Sequence, residues 1–138
     1  MKGGIFLLQG NKLVGLNETQ YEVESLLQEL LANYPDLLVG SQVDPVSPRR
    51  WLHVASESGI PGEEGGSGRW SLDHLFLDQD GVPTLVEVKR STDTRIRREV
   101  VGQMLDYAAN AVVYWPAIAI RTQFERNCER KGTDPDQE

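Results

Sequence analysis

The chain holds a single cysteine, Cys128, among 138 residues. One thiol excludes an internal disulfide framework and a cysteine-built zinc cluster, and leaves Cys128 as a small buried apolar residue rather than a nucleophile. No run of about 18 apolar residues is present, and the first residues lack the basic start, long apolar stretch and small-residue cleavage site of a secretory leader. The expectation is a cytoplasmic protein with no membrane partner. No glycine-rich phosphate loop follows a strand and opens a helix, and no repeat is evident, so no small-molecule cofactor is expected. Basic residues are scarce as well: 14 Lys and Arg stand against 21 Asp and Glu, for a net charge of −7. That balance opposes a nucleic-acid partner, because Lys and Arg drive backbone binding by neutralising phosphates.

What is present points to a globular protein. Charged residues make up 25% and hydrophobic residues 39%, and the length suffices for one core, so residues 1–138 are read as one domain. The few basic residues are not spread evenly. Lys89, Arg90, Arg95, Arg97 and Arg98 fall within ten positions, which makes one stretch locally positive.

That stretch adjoins residues 71–89, SLDHLFLDQDGVPTLVEVK, which read as a β-hairpin carrying acids. Residues 71–78 and 85–89 alternate apolar and polar, and Gln79-Asp80-Gly81 separates them. A three-residue loop with a left-handed glycine third makes paired residue numbers sum to 160. Asp78 then faces Val82, and Asp73 faces Glu87. Asp73, Leu75, Leu77, Leu85, Glu87 and Lys89 share one face. Two carboxylates set opposite each other repel by roughly 0.2 to 1 kcal/mol unless a positive group sits between them. Lys89 offsets part of that charge. A hard divalent cation, which takes one or two carboxylates and keeps several waters, suits the same geometry.

Asp73 followed by Glu87-Val88-Lys89 resembles the signature of the PD-(D/E)xK nuclease superfamily, whose members have the restriction-endonuclease-like fold. The resemblance extends to Glu24, where members carry a glutamate on a preceding helix, and to Gln103 and Tyr107, one turn apart on the following helix. Leu72 stands where the motif has proline, a departure many members share. The match covers about residues 19–110. It implies an α/β fold with an αβββαβ core, a central mixed sheet flanked by helices. It also implies Mg²⁺ or Mn²⁺ held by Asp73, Glu87 and the Val88 carbonyl with Glu24, and DNA as substrate. Lys89 would orient the attacking water or neutralise developing charge; beside two carboxylates it stays protonated and, without metal, is not assigned as the general base. Arg90, Arg95, Arg97 and Arg98 would meet phosphates. Two other readings stand beside the nuclease: an inactive nucleic-acid-binding or protein-interaction module on the same fold, and an ordinary α/β domain with a surface ion-pair cluster.

Elsewhere, residues 5–9 and 12–16 flank Gly10-Asn11 and predict a small hairpin over residues 1–17, outside the resemblance: an extra sheet, a cover for a sheet edge, or the contact of a homodimer. Thr19-Gln20-Tyr21-Glu22 reads as a capping box for a helix that Pro35 stops, with Glu24 at the border of its apolar arc and Glu29 pointing away. Residues 36–50 read as loop, 51–56 as strand, and the glycine-rich 57–68 as a mobile hairpin tip. Ser91 or Thr92 caps the next helix, which buries Ile96, Val100, Val101, Met104, Leu105 and Ala108 and carries Gln103 and Tyr107 at the border. Residues 112–114, or failing them 117–120, supply the strand after that helix. In residues 111–138 a last helix follows with Pro116 in its first turn and Ile120, Phe124 and Cys128 facing inward. The unpacked ending suggests a piece of a longer protein or a sheet completed by a neighbouring subunit. His53 and His74 are expected to be structural, His74 on the face opposite Asp73.

Overall fold

Gly81 adopts φ +74°, the left-handed conformation that only glycine takes without strain, and this turn fixes the central hairpin. The computed structural model describes residues 4–20, 23–63 and 68–138, leaving aside the side chains of residues 69 and 97. Strand β4 (Gly68–Asp78) runs into the turn and β5 (Pro83–Val86) leaves it. Their pairs are His74 with Val86, Leu75 with Leu85, Phe76 with Thr84 and Leu77 with Pro83, each summing to 160 as the loop chemistry demands. The Asp78 backbone and side chain close the turn: its carbonyl accepts from Gly81 N–H at 3.0 Å, and Oδ1 accepts from Asp80 and Val82 N–H at 2.9 Å.

Strand β3 (Trp51–Pro61) pairs with the other edge of β4, giving a three-stranded sheet of order β3-β4-β5. A separate two-stranded sheet is formed by β1 (Ile5–Gln9) and β2 (Lys12–Leu16). Helix α1 (Glu24–Asn33) packs Leu27 and Leu31 on one face of the larger sheet, against Phe76 and Val88. Helices α3 (Val101–Tyr114) and α4 (Ala117–Lys131) cover the other face, where Tyr107, Met104, Ile120 and Phe124 meet Val54, Leu75 and Leu85. A short helix α2 (Gly40–Val43) lies between α1 and β3. The chain is therefore a mixed α/β protein. Among the described residues no helix is long and apolar enough to cross a membrane.

Several expectations are corrected. The sheet is antiparallel throughout rather than mixed, and residues 112–114 and 117–120 are helical, so neither supplies a strand after the Gln103 helix. Residues 57–61 belong to β3 rather than to a loop: Ile60 is wholly buried and pairs with Trp70, and this burial outweighs the local glycines. The chain reaches that register through an irregularity between His53 and Ala55 and a left-handed Glu57 at φ +51°. Part of 36–50 is helical, with a 3-10 turn at Pro35–Leu37 before α2. Thr19 does not cap α1, whose N-cap is Val23 with no side-chain bond; Tyr21 and Glu22 of the expected box lie outside the described residues. Ser91 and Thr92 cap nothing either. The third helix is entered through a π-helical turn, Ile96–Val100, and Asp93 instead turns back on Arg95. The π turn adds a residue per turn and rotates the helix beyond it, so Val101 and Leu105 face solvent while Gln103 and Tyr107 move from the border to the inner face.

One glycine is required by close approach. A Cβ on Gly40 would lie 1.7 Å from the Arg49 carbonyl oxygen, and Arg49 is the residue whose guanidinium reaches Asp44, Asp78 and Asp80 at 3.5, 3.1 and 2.5 Å. Gly40→Ala is expected to destabilise by ~1–3 kcal/mol or more, because backbone must move. Gly102→Ala, where an added Cβ meets nothing within 4 Å in α3, is expected to stabilise by about 0.5–1 kcal/mol. Denaturant midpoints at unchanged slope measure both, and equal effects of the two substitutions contradict this account.

Candidate functional site

β5 stops at Val86, one residue short of Glu87, so the acid-bearing segment 87–90 leaves the ladder. Side chains then hold it in place. Asp73 Oδ2 accepts from Val88 N–H at 2.8 Å, and Glu24 Oε1, at the first residue of α1, accepts from Arg90 N–H at 3.0 Å. Val88 turns its side chain into the α1 core, with 4% exposed, which fixes the alternation and sends Glu87 and Lys89 the other way.

These contacts gather Asp73, Glu87, Lys89 and Glu24. The Lys89 ammonium lies 2.9 Å from Glu87 Oε1 and 3.8 Å from Glu24 Oε2. Desolvation works against that charge, yet the hydrogen bond to Glu87 and the fields of Glu87, Asp73 and Glu24 hold the Lys89 pKa above its ordinary value. Lys89 is a fixed cation here. The Glu87 side chain is only 7% exposed, and its second oxygen, Oε2, is buried with no hydrogen-bond partner among the described residues. An unpaired carboxylate oxygen in that position costs on the order of 1–3 kcal/mol or more, so it calls for a cation or donor. The donor set is all oxygen, which suits Mg²⁺ or Mn²⁺ rather than Zn²⁺. Among the described residues no group of three or more His, Cys, Asp or Glu stands close enough to hold a metal unaided, so any ion here takes two carboxylates and completes its shell otherwise.

Gln103 and Tyr107 come to the same end of the sheet by another route. Gln103 Nε2 donates to the Tyr107 hydroxyl, which donates in turn to the Ser71 carbonyl on β4, two residues from Asp73. The pair pins α3 to the acid-bearing strand and makes no hydrogen bond to Asp73, Glu87 or Glu24. Of the arginines, Arg90 and Arg98 are exposed, Arg95 is held by Asp93 at 2.7 Å, and the Arg97 side chain lies outside the described residues. The hydrogen bonds from Arg95 push the Asp93 carboxyl down to about 2. An open cleft of about 490 Å³ adjoins the group, lined by Thr19, Leu27, Lys89, Arg90, Ser91 and Thr92.

A second polar cluster was not singled out in the sequence. His53, Ser56 and His74 stand within 3.2–3.3 Å of one another under the sheet, and Asn127 of α4 reaches His53 Nδ1 at 3.4 Å. Arg130 donates to Asn127 Oδ1 at 2.9 Å, so the Asn127 amide NH₂ faces His53, making Nδ1 an acceptor and Nε2 the protonated nitrogen. His53 Nε2–H then donates to His74 Nδ1, and both rings are neutral. The only signal for this in the sequence was the pair of histidines on strands. Their structural role was expected, and His74 does lie buried, on the face away from Asp73.

No family model, curated protein or solved structure matches the chain.

Burial, followed by the charges of Lys131, His74 and Arg130, lowers the His53 pKa to about 4, and burial lowers that of His74 against the opposing pull of Asp73 and the Gln28 backbone. The unfolded imidazoles titrate near 6.5, so between that value and about 4 the unfolded chain binds protons that the folded chain refuses. Stability is full above about pH 6.5 and falls as pH drops toward 4. Unfolding midpoints across this range are expected to decline, and His53→Gln to flatten the decline. A wild-type midpoint constant from pH 7 to 4 contradicts the assignment.

Proposed function

We propose that the protein is a metal-dependent phosphodiester hydrolase of PD-(D/E)xK type, with the restriction-endonuclease-like fold and DNA as its substrate. The observation that carries this reading is Glu87 Oε2, a buried carboxylate oxygen without a partner among the described residues, on the same segment as a fixed lysine and beside Asp73. Asp73, Glu87 and the Val88 carbonyl would hold Mg²⁺ or Mn²⁺, with Glu24 joining through a bound water. When bound, such an ion lowers the pKa of its water and neutralises charge on a phosphate.

The rest of the work belongs to the chain. Lys89, kept protonated by its acidic neighbours, offers a positive group aimed at charge developing on the phosphate and needs no reorganisation to do so. Gln103 and Tyr107 are positioning residues: they fix α3 against Ser71 and so hold the strand that carries Asp73. Arg90 lines the open cleft beside the segment, where the phosphates flanking a scissile bond would lie. With a net charge of −7 the whole molecule does not attract DNA, and recognition rests on this local patch.

One observation favours a different reading. The 2.9 Å ion pair between Lys89 and Glu87 already neutralises one carboxylate oxygen without a metal, as in an inactive nucleic-acid-binding or protein-interaction module on the same fold. The two readings part on metal. Mn²⁺ is expected to raise the unfolding temperature of the wild type but not of Glu87→Gln, and DNA cleavage is expected to require Mg²⁺ and to stop in excess EDTA. Asp73→Asn, Glu87→Gln and Lys89→Met are each expected to lower cleavage by roughly 10²-fold or more. Asp73→Asn keeps an oxygen for Val88 N–H, so the fold should survive it. Cleavage that persists in EDTA sinks the proposal; metal-independent stability with no cleavage moves the site to the binding module.

A further inference from the structure

The β1–β2 hairpin contributes no residue to either core cluster. Its register sets Ile5, Leu7, Val14 and Leu16 on one face and Phe6, Leu8 and Leu13 on the other, and every one of these side chains is exposed. A strand pair with one wet face alternates apolar and polar, whereas side chains apolar on both faces mark strands buried on both. A two-stranded hairpin is also marginal in water by itself; it needs further strands or a packed face.

The outer edge of β5 has the opposite need. The order β3-β4-β5 leaves that edge unpaired among the described residues, and apolar space borders it on both faces. On one side a cavity of about 430 Å³ lies between β5 and helices α3 and α4, lined by Pro83, Leu85, Val112, Trp115 and Ile120. On the other, a cavity of about 810 Å³ is lined by Leu37, Val39, Val43 and Val86. Asp78 and Val82 form a hydrogen-bonded pair, so Thr84 and Val86 direct their backbone groups at β4, and the Leu85 N–H and C=O and the Pro83 C=O face the outer edge.

We infer that the β1–β2 hairpin of one copy adds to the β5 edge of a second copy and fills both cavities, reciprocally, in a two-fold dimer. The occupant is argued from complementarity within one sequence. The chain carries both an apolar hairpin whose outer edges are unpaired among the described residues and a sheet edge walled by apolar space, so two copies satisfy each other twice in a closed arrangement. Charge agrees. Lys12 is the only charged residue in β1 and β2, β5 has none, and the cluster at the rim of the larger cavity sets Arg49 against Asp44, Asp78 and Asp80, which leaves it net negative. A positive hairpin tip therefore meets a negative rim, on a chain whose overall charge of −7 opposes self-association elsewhere. Seven large apolar side chains per hairpin also approach the roughly 800 Å² per partner that a standard interface covers.

Sedimentation of the full chain at micromolar concentration tests this. The wild type is expected to be a dimer. Leu8→Lys on the hairpin and Val112→Lys on the receiving wall, residues 68% and 88% exposed in one chain and so free to vary without loss of fold, are each expected to weaken it at least tenfold. Val46→Lys, 95% exposed and outside both cavities, is expected to leave the dimer intact. A monomeric wild type overturns the inference, including one in which the hairpin binds lipid vesicles or folds onto its own sheet. A dimer that Leu8→Lys breaks and Val112→Lys does not also overturns it, since hairpins would then be pairing with each other.

Discussion

The turn at residues 78–82 is the constraint on which the rest depends. Side chains alternate with a period of two, so a slip of one residue between β4 and β5 would carry Leu85 away from the face that holds Leu75 and Leu77, and Val86 away from that of Phe76. Two things forbid the slip. Gly81 takes a backbone conformation that other residues enter only with strain, and Asp78 binds the turn through its N–H, its carbonyl and its carboxylate at once. Arg49 then clamps Asp78 and Asp80 from outside. With the register fixed, the segment after β5 emerges beside Asp73 with Val88 inward, and the orientation of Glu87 and Lys89 is set by it.

That hairpin was legible because local chemistry and global packing agree on it: alternation, the position of one glycine and the apolar row all give the same register. Where they disagree, the sequence misleads. Glycines around Ile60 read as a loop, yet a wholly buried isoleucine keeps the strand extended, at the expense of a left-handed Glu57. The arc from Ile96 to Ala108 follows a period of 3.6 that the protein does not follow, because the π turn inserts a residue that no composition signals. The same insertion brings Tyr107 into the core, where its hydroxyl reaches β4. Valines 112 and 113 have strand propensity, but helix α3 runs through them to Tyr114 and leaves both exposed.

Electrostatics near the acids is more economical than the basic run in the sequence suggests. Lys89 is paired with Glu87, Arg95 is taken up by Asp93, and Arg90 gives its backbone N–H to Glu24 while its side chain stays exposed. A stretch with five basic residues in ten positions therefore presents fewer free cations than it contains. What remains unsatisfied among the described residues is on the acid side, at Glu87 Oε2, where burial removes the water that would otherwise donate to it.

The acids also have a mechanical task. Because β5 ends at Val86, the backbone of 87–90 has no ladder to join, and two carboxylates act as substitute acceptors, Asp73 for Val88 N–H and Glu24 for Arg90 N–H. Each commits one oxygen to the scaffold. Had the strand continued, backbone carbonyls would have served instead, and Glu87 would have been locked opposite Asp73 with the repulsion of facing carboxylates. Leaving the ladder one residue early lets the segment part from β4 and admits the Lys89 ammonium beside Glu87. Acids that build the loop cannot be removed without disturbing it, so charge and scaffold are separable here only by amides, which keep the acceptor oxygen and discard the charge.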